Sequence, residues 1–78
     1  MNYLTFFNSM SSDKQDDYAI KAGTTGAYLR THVLVPIKRR KIPRPDLIER
    51  LVEATNGKVS KAELLNFLYD EDINKSAA

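Results

Sequence analysis

The chain has 78 residues, 42% of them hydrophobic, with a formal net charge of +2, no cysteine and one histidine. Length limits it to one domain with a small core. The missing cysteines exclude a disulfide framework and a thiolate zinc site, and no apolar run approaches the ~20 residues of a membrane span.

An all-α domain is predicted over residues 1–70, a compact bundle of about five short helices, followed by a polar tail at 71–78. The first helix is expected from Asn2 to Met10, with Leu4, Phe7 and Met10 on its buried face. Ser12 and Gln15 have the spacing of a capping box, so the second helix is placed at Asp13 to Ala22. Asp13, Asp16 and Asp17 suit its positive end, and Tyr18, Ala19 and Ala22 point inward.

The run from Ala19 to Leu29 carries the most information. Ala19 lies four residues before Gly23 and lets a second helix cross closely. Gly23 supplies the positive φ of a tight inter-helix turn, and Leu29 anchors the helix that follows. This is helix-turn-helix spacing, which presents a helix to the DNA major groove. Thr24 is expected to cap the third helix, which runs to His32 or Val33. Pro36 disfavours helix at Val35, so Val33–Ile37 reads as a short apolar edge strand or a connection. Lys38 to Pro43 then forms a basic loop.

Pro45 suits the first turn of a fourth helix, whose buried stripe is Leu47, Ile48, Leu51, Val52 and Thr55. Asn56-Gly57 ends it. Ser60 and Glu63 make a capping box for a fifth helix bearing Leu64, Leu65, Phe67 and Leu68.

Charge is divided along the chain. Residues 1–45 hold eight basic against three acidic side chains, a net of +5; residues 46–78 hold four against seven, a net of −3. Such polarity suits a protein that turns one end to phosphates.

The segment Tyr18-Ala19-Ile20-Lys21-Ala22-Gly23-Thr24-Thr25-Gly26-Ala27-Tyr28-Leu29 resembles the helix-turn-helix of the lambda Cro/repressor superfamily, in particular the small phage and prophage Cro-like (YdaS-type) regulators. The pieces Pro43-Arg44-Pro45-Asp46-Leu47 and Glu53 to Leu64 are similar to their second half. Between Leu29 and Pro43 the chain is longer than in those proteins, and His32 stands where they carry an aliphatic residue. The resemblance implies a cytoplasmic transcriptional repressor in a bacterial host, binding a palindromic double-stranded DNA operator as a homodimer and blocking polymerase sterically.

The N-terminal and outward positions of helix three are the expected base readers: Thr25, Gly26, Ala27, Tyr28, Arg30, Thr31 and Leu34. Thr25 and Ala27 suit thymine methyls, Arg30 suits guanine, and Gly26 suits close approach of backbone to DNA. The expected phosphate contacts are Gln15 and Thr24 at helix starts, and Lys38, Arg39, Arg40, Lys41 and Arg44. Candidate dimer surfaces are Phe67, Leu68 and Tyr69, the Val33–Ile37 segment, and Ile20. No metal cluster, cofactor site, small-molecule site or nucleophile–base pair is recognisable, so an enzyme is not expected. The alternatives are an antitoxin or an anti-CRISPR-associated autoregulator on the same scaffold, or a protein-interaction module, such as a small inhibitor, that binds no DNA.

Overall fold

The computed structural model describes residues 1–69, and these form an all-helical bundle without strands. The expected tail at 71–78 lies outside the described residues. The helices are α1 (Tyr3–Asn8), α2 (Ser12–Lys21), α3 (Gly26–Tyr28), α4 (Pro45–Glu53) and α5 (Lys61–Tyr69). Helix α3 continues directly into a π-helical turn at Leu29–Val33, and a 3₁₀ turn follows at Ile37–Arg39.

Helix α1 begins where the Asn2 side chain accepts the Thr5 N–H at 2.8 Å. Its buried residues are Tyr3, Phe6 and Phe7. The expected Leu4–Phe7–Met10 face is therefore rotated: Leu4 is exposed and Met10 only half-buried. Three aromatics spaced at one helical turn outweigh a single leucine as the buried stripe. They meet Tyr18 of α2 and Phe67 of α5 in one aromatic cluster, with Tyr3 5.5 Å from Phe67 and Phe6 5.2 Å from Tyr18 between ring centroids.

Inside this cluster two phenols form a relay. The Tyr18 hydroxyl donates to the Leu51 carbonyl of α4 at 2.9 Å, and the Tyr3 and Tyr18 hydroxyl oxygens are 3.0 Å apart. With the Tyr18 proton committed to Leu51, Tyr3 donates to Tyr18. Three helices are thereby fixed at one point, and both buried hydroxyls are satisfied.

The second half follows local sequence rules. Pro45 opens α4, which buries Ile48 and Leu51. Asn56 and Gly57 turn the chain in the left-handed region, at φ 57° and 87°. Thr55 is buried; its hydroxyl donates to the Val52 carbonyl at 2.7 Å and accepts the Val59 N–H at 3.2 Å. The Ser60–Glu63 capping box is present, with the Glu63 N–H on Ser60 Oγ at 3.1 Å and the Ser60 N–H on Glu63 Oε1 at 2.9 Å. The Ser60 N–H is the main cause holding the Glu63 carboxyl below its ordinary range. Helix α5 buries Leu64 and Leu68. Among the described residues no helix is long and apolar enough to cross a membrane.

Burial pushes the Tyr3 phenol up to about 12, and burial with the adjacent Tyr3 pushes Tyr18 further in the same direction. Both groups favour the fold in their neutral form. Their contribution is complete below the ordinary tyrosine range near 10 and is lost as pH rises toward 12. Stability measured by urea unfolding should therefore decline above about pH 10. Tyr18→Phe should cost about 1–3 kcal/mol at neutral pH, because it strands the Leu51 carbonyl and removes the acceptor of Tyr3.

Candidate nucleic-acid interface

Helix α2 ends in a paired hydrogen-bond motif. The Gly23 N–H donates to the Ile20 carbonyl at 3.0 Å, and the Thr24 N–H to the Ala19 carbonyl at 2.9 Å. Gly23 sits at φ 92°, the left-handed position this C-terminal motif requires. Ala19, Ala22 and Leu29 are fully buried. The expected break between the second and third helices, with Gly23 at positive φ, is thus present.

Arg50 of α4 completes the corner. Its Nε donates to the Ala22 carbonyl at 3.0 Å, and its Nη1 lies 3.5 Å from Asp46. A cation at the carbonyl end of α2 is favourable. A Cβ on Gly23 would lie 3.2 Å from Arg50 Nε. Gly23 is therefore favoured by its φ, and any side chain there would also crowd the Arg50 guanidinium. Sequence reading missed Arg50, because nothing local to it reports a contact 28 residues away.

Both expected caps shift by one residue. Ser11, not Ser12, caps α2, with its Oγ accepting the Lys14 N–H at 3.3 Å. Thr25, not Thr24, caps α3, accepting the Tyr28 N–H at 3.1 Å. Gln15 is consequently not a capping-box partner. Its Nε2 donates to the Phe7 and Met10 carbonyls at 3.0 and 3.2 Å, closing the end of α1. Where a phosphate contact is expected of Gln15, its amide N–H groups thus serve α1. Thr24 is half-buried and gives its N–H to Ala19, so it no longer stands at a helix start.

Thr25, Ala27, Arg30 and Thr31 are exposed and Tyr28 is half-exposed. Ala27 and Thr31 lie one turn apart, and the Thr31 hydroxyl donates to the Ala27 carbonyl at 2.7 Å. Two expected readers are placed differently. Gly26 is buried, and a Cβ on it would collide with the Asp16 carboxylate. Its bareness serves the packing of α2 on α3 rather than approach to a ligand. Leu34 ends the π turn, donates its N–H to the Leu29 carbonyl at 2.7 Å, and packs half-buried against the core.

Arg30 lies along the α2–α3 seam. Its Nη2 donates to Asp16 Oδ1 at 3.0 Å and its Nη1 to Gln15 Oε1 at 3.1 Å. His32 is half-buried, with its ring 5.2 Å from that of Tyr28. Its carbonyl accepts the Lys41 N–H at 2.7 Å. The 33–40 excursion thus leaves and rejoins the C-terminal end of the third helix. No strand forms at Val33–Ile37: Val33 is buried, Leu34 and Val35 are half-buried, and the extra length is taken up by the π and 3₁₀ turns.

Of the basic run, Lys38, Arg39 and Lys41 are exposed. Arg40, expected on phosphate, is engaged within the fold. Its guanidinium lies over the Phe67 ring at 4.1 Å, Nε donates to the Val35 carbonyl at 2.9 Å, and Nη1 donates to the Phe67 carbonyl. Stacking with two carbonyl acceptors suits a planar guanidinium and ties the loop to α5. Arg44 is highly exposed, with a loose 3.9 Å pair to Asp46. Among the candidate dimer surfaces, Leu68 is buried and Phe67 is half-buried beneath Arg40, while Ile20, Ile37 and Tyr69 are exposed. No group of metal-ligating side chains occurs among the described residues.

No family model, curated protein or solved structure matches this chain.

Gly23→Val should destabilise the domain by about 1–3 kcal/mol, since a β-branched residue resists positive φ. Arg40→Ala should lower the thermal midpoint and increase Phe67 exposure, whereas Arg39→Ala should leave the midpoint unchanged. Circular-dichroism melts of the two variants check the contrast.

Proposed function

We propose that this chain binds double-stranded DNA as a helix-turn-helix protein, with α3 and its π-turn continuation entering the major groove. The observation that carries the reading is the corner at Gly23. A motif-terminated α2, a positive-φ glycine and a fully buried Ala19 and Leu29 leave Ala27, Tyr28 and Thr31 on the outer surface of the next helix. Thr25 stands at its start and Arg30 on its flank. Lys38, Arg39 and Lys41 lie at the other end, where the chain rejoins His32. In this reading they and Arg44 hold phosphates, and the helix face reads bases. Methyl contacts from Ala27 and Thr31 favour thymine.

One short helix buries limited surface, so the operator is palindromic and bound by two copies, with half-sites about 34 Å apart. Occupancy of a promoter-overlapping site would make the protein a Cro-like repressor; an antitoxin or anti-CRISPR-associated autoregulator uses the same contacts.

A second reading has its own support. Asp13 and Asp17 are exposed on α2 beside Ile20, which is 66% exposed. An acidic surface with an apolar centre repels phosphates and suits a protein partner. Selection from a random duplex library separates the two. Enrichment of a two-fold symmetric sequence, with affinity falling steeply with salt, is expected for the DNA reader. No enrichment would reject it in favour of the protein-binding module.

Within the DNA reading, Arg39→Ala should weaken binding on all sequences alike and lower the salt slope by about one. Ala27→Glu should abolish sequence preference, because a carboxylate on the groove-facing surface meets the acceptor-rich base edges. Competition binding with specific and scrambled duplexes measures both.

A further inference from the structure

We propose that Asp16 sets sequence specificity by cancelling the charge of Arg30 while leaving its hydrogen-bond donors available. The inference rests on the DNA-binding reading above and concerns the same surface.

Arg30 is the one cation on the third helix. Standing alone it would attract any phosphate and raise affinity for every sequence. It does not stand alone. Asp16 Oδ1 accepts its Nη2 at 3.0 Å, and Gln15 Oε1 accepts its Nη1 at 3.1 Å. Gln15 is in turn anchored on the Phe7 and Met10 carbonyls, so the acceptor pair is held by the end of α1. The carboxylate is seated where Gly26 has no side chain. A Cβ there would collide with Asp16 Oδ1 and lie 3.0 Å from Arg30 Nη1. The bare glycine is what lets the pair form at the start of α3.

The chemistry follows. A guanidinium carries five N–H donors in a fixed plane. Two are used on the α2 side, and the others remain for an acceptor such as guanine O6 or N7. The net charge of the pair is zero, so it releases no counterion when it meets a phosphate. Base acceptors are still satisfied; non-specific attraction is not gained. Discrimination between sites comes as much from such withheld attraction as from contacts made.

The test is the salt dependence of binding to a duplex of random sequence, beside affinity for the selected site. In the native background Arg30→Ala should relax the preference at one base position and, by leaving the Asp16 carboxylate uncompensated, should not steepen the random-duplex slope. Asp16→Asn keeps an acceptor but removes the charge. It should steepen that slope by about one unit and reduce the ratio of specific to non-specific affinity. Gly26→Ala should do the same by a different route, since its methyl evicts the Asp16 carboxylate. The double variant Asp16→Asn/Arg30→Ala should return to the native slope. Urea midpoints establish that each variant is folded; should Gly26→Ala not fold, the Asp16→Asn pair decides alone. Asp16→Asn leaving the native slope unchanged, or Arg30→Ala leaving the base preference intact, overturns the inference while the DNA reading stands. A native chain that binds no duplex overturns both.

Discussion

The structure depends on how closely α2 and α3 approach each other, and that approach is made of absent side chains. Ala19 carries only a methyl and is fully buried. Gly23 carries nothing and turns the chain at φ 92°. Gly26 carries nothing and admits the Asp16 carboxylate. The seam is closed by polar groups that need this proximity: Asp16 and Gln15 on Arg30, and Arg50 on the Ala22 carbonyl. A Cβ at Gly23 or Gly26 would crowd the side chains that close the seam, Arg50 at the first and Asp16 with Arg30 at the second. Close-packed interiors transmit such crowding rather than absorbing it.

The remaining helices hold α2 still while α3 is displayed. The Tyr3–Tyr18–Leu51 relay fixes α1, α2 and α4 with directional bonds inside an aromatic cluster. Ring contacts alone tolerate sliding, whereas a hydroxyl chain ending on a particular carbonyl specifies register. Gln15 repeats the device at the rim. It satisfies two α1 carbonyls and hands its own carbonyl to Arg30. A single amide thus links the end of α1 to the flank of α3.

Features encoded within a few residues were legible in the sequence. Gly23, Pro45, Asn56-Gly57 and the Ser60–Glu63 box act on their own backbone, and each does so here. The bundle class follows from the same signals. Caps at Ser11 and Thr25 were displaced by one because tandem Ser-Ser and Thr-Thr pairs offer two equivalent oxygens; only the trajectory of the preceding chain chooses between them. The face of α1 was misjudged because helical spacing fits both Leu4–Phe7 and Tyr3–Phe6–Phe7, and the partner rings of Tyr18 and Phe67 decide. Arg40 and Arg50 were illegible for a different reason. An arginine reads the same in sequence whether it is solvated or held on a distant carbonyl, and the carbonyls that accept from Arg40 and Arg50 lie 27 and 28 residues away.

Placing the cations changes what the charge division means. The first half holds eight basic residues, yet Arg30 is paired and Arg40 is bound to α5. The exposed charge near the third helix narrows to Lys38, Arg39 and Lys41, with Arg44 beyond them. The helix face itself is short and nearly neutral, with a methyl, a threonine and a tyrosine. On the DNA-binding reading, such a face gains little from electrostatics and must rely on fitted contacts, each of modest worth. Modest contacts on one short helix do not distinguish one site among the many in a genome. On that same reading a second copy supplies a second helix, and the economy of charge on the first is what makes a paired site worth reading.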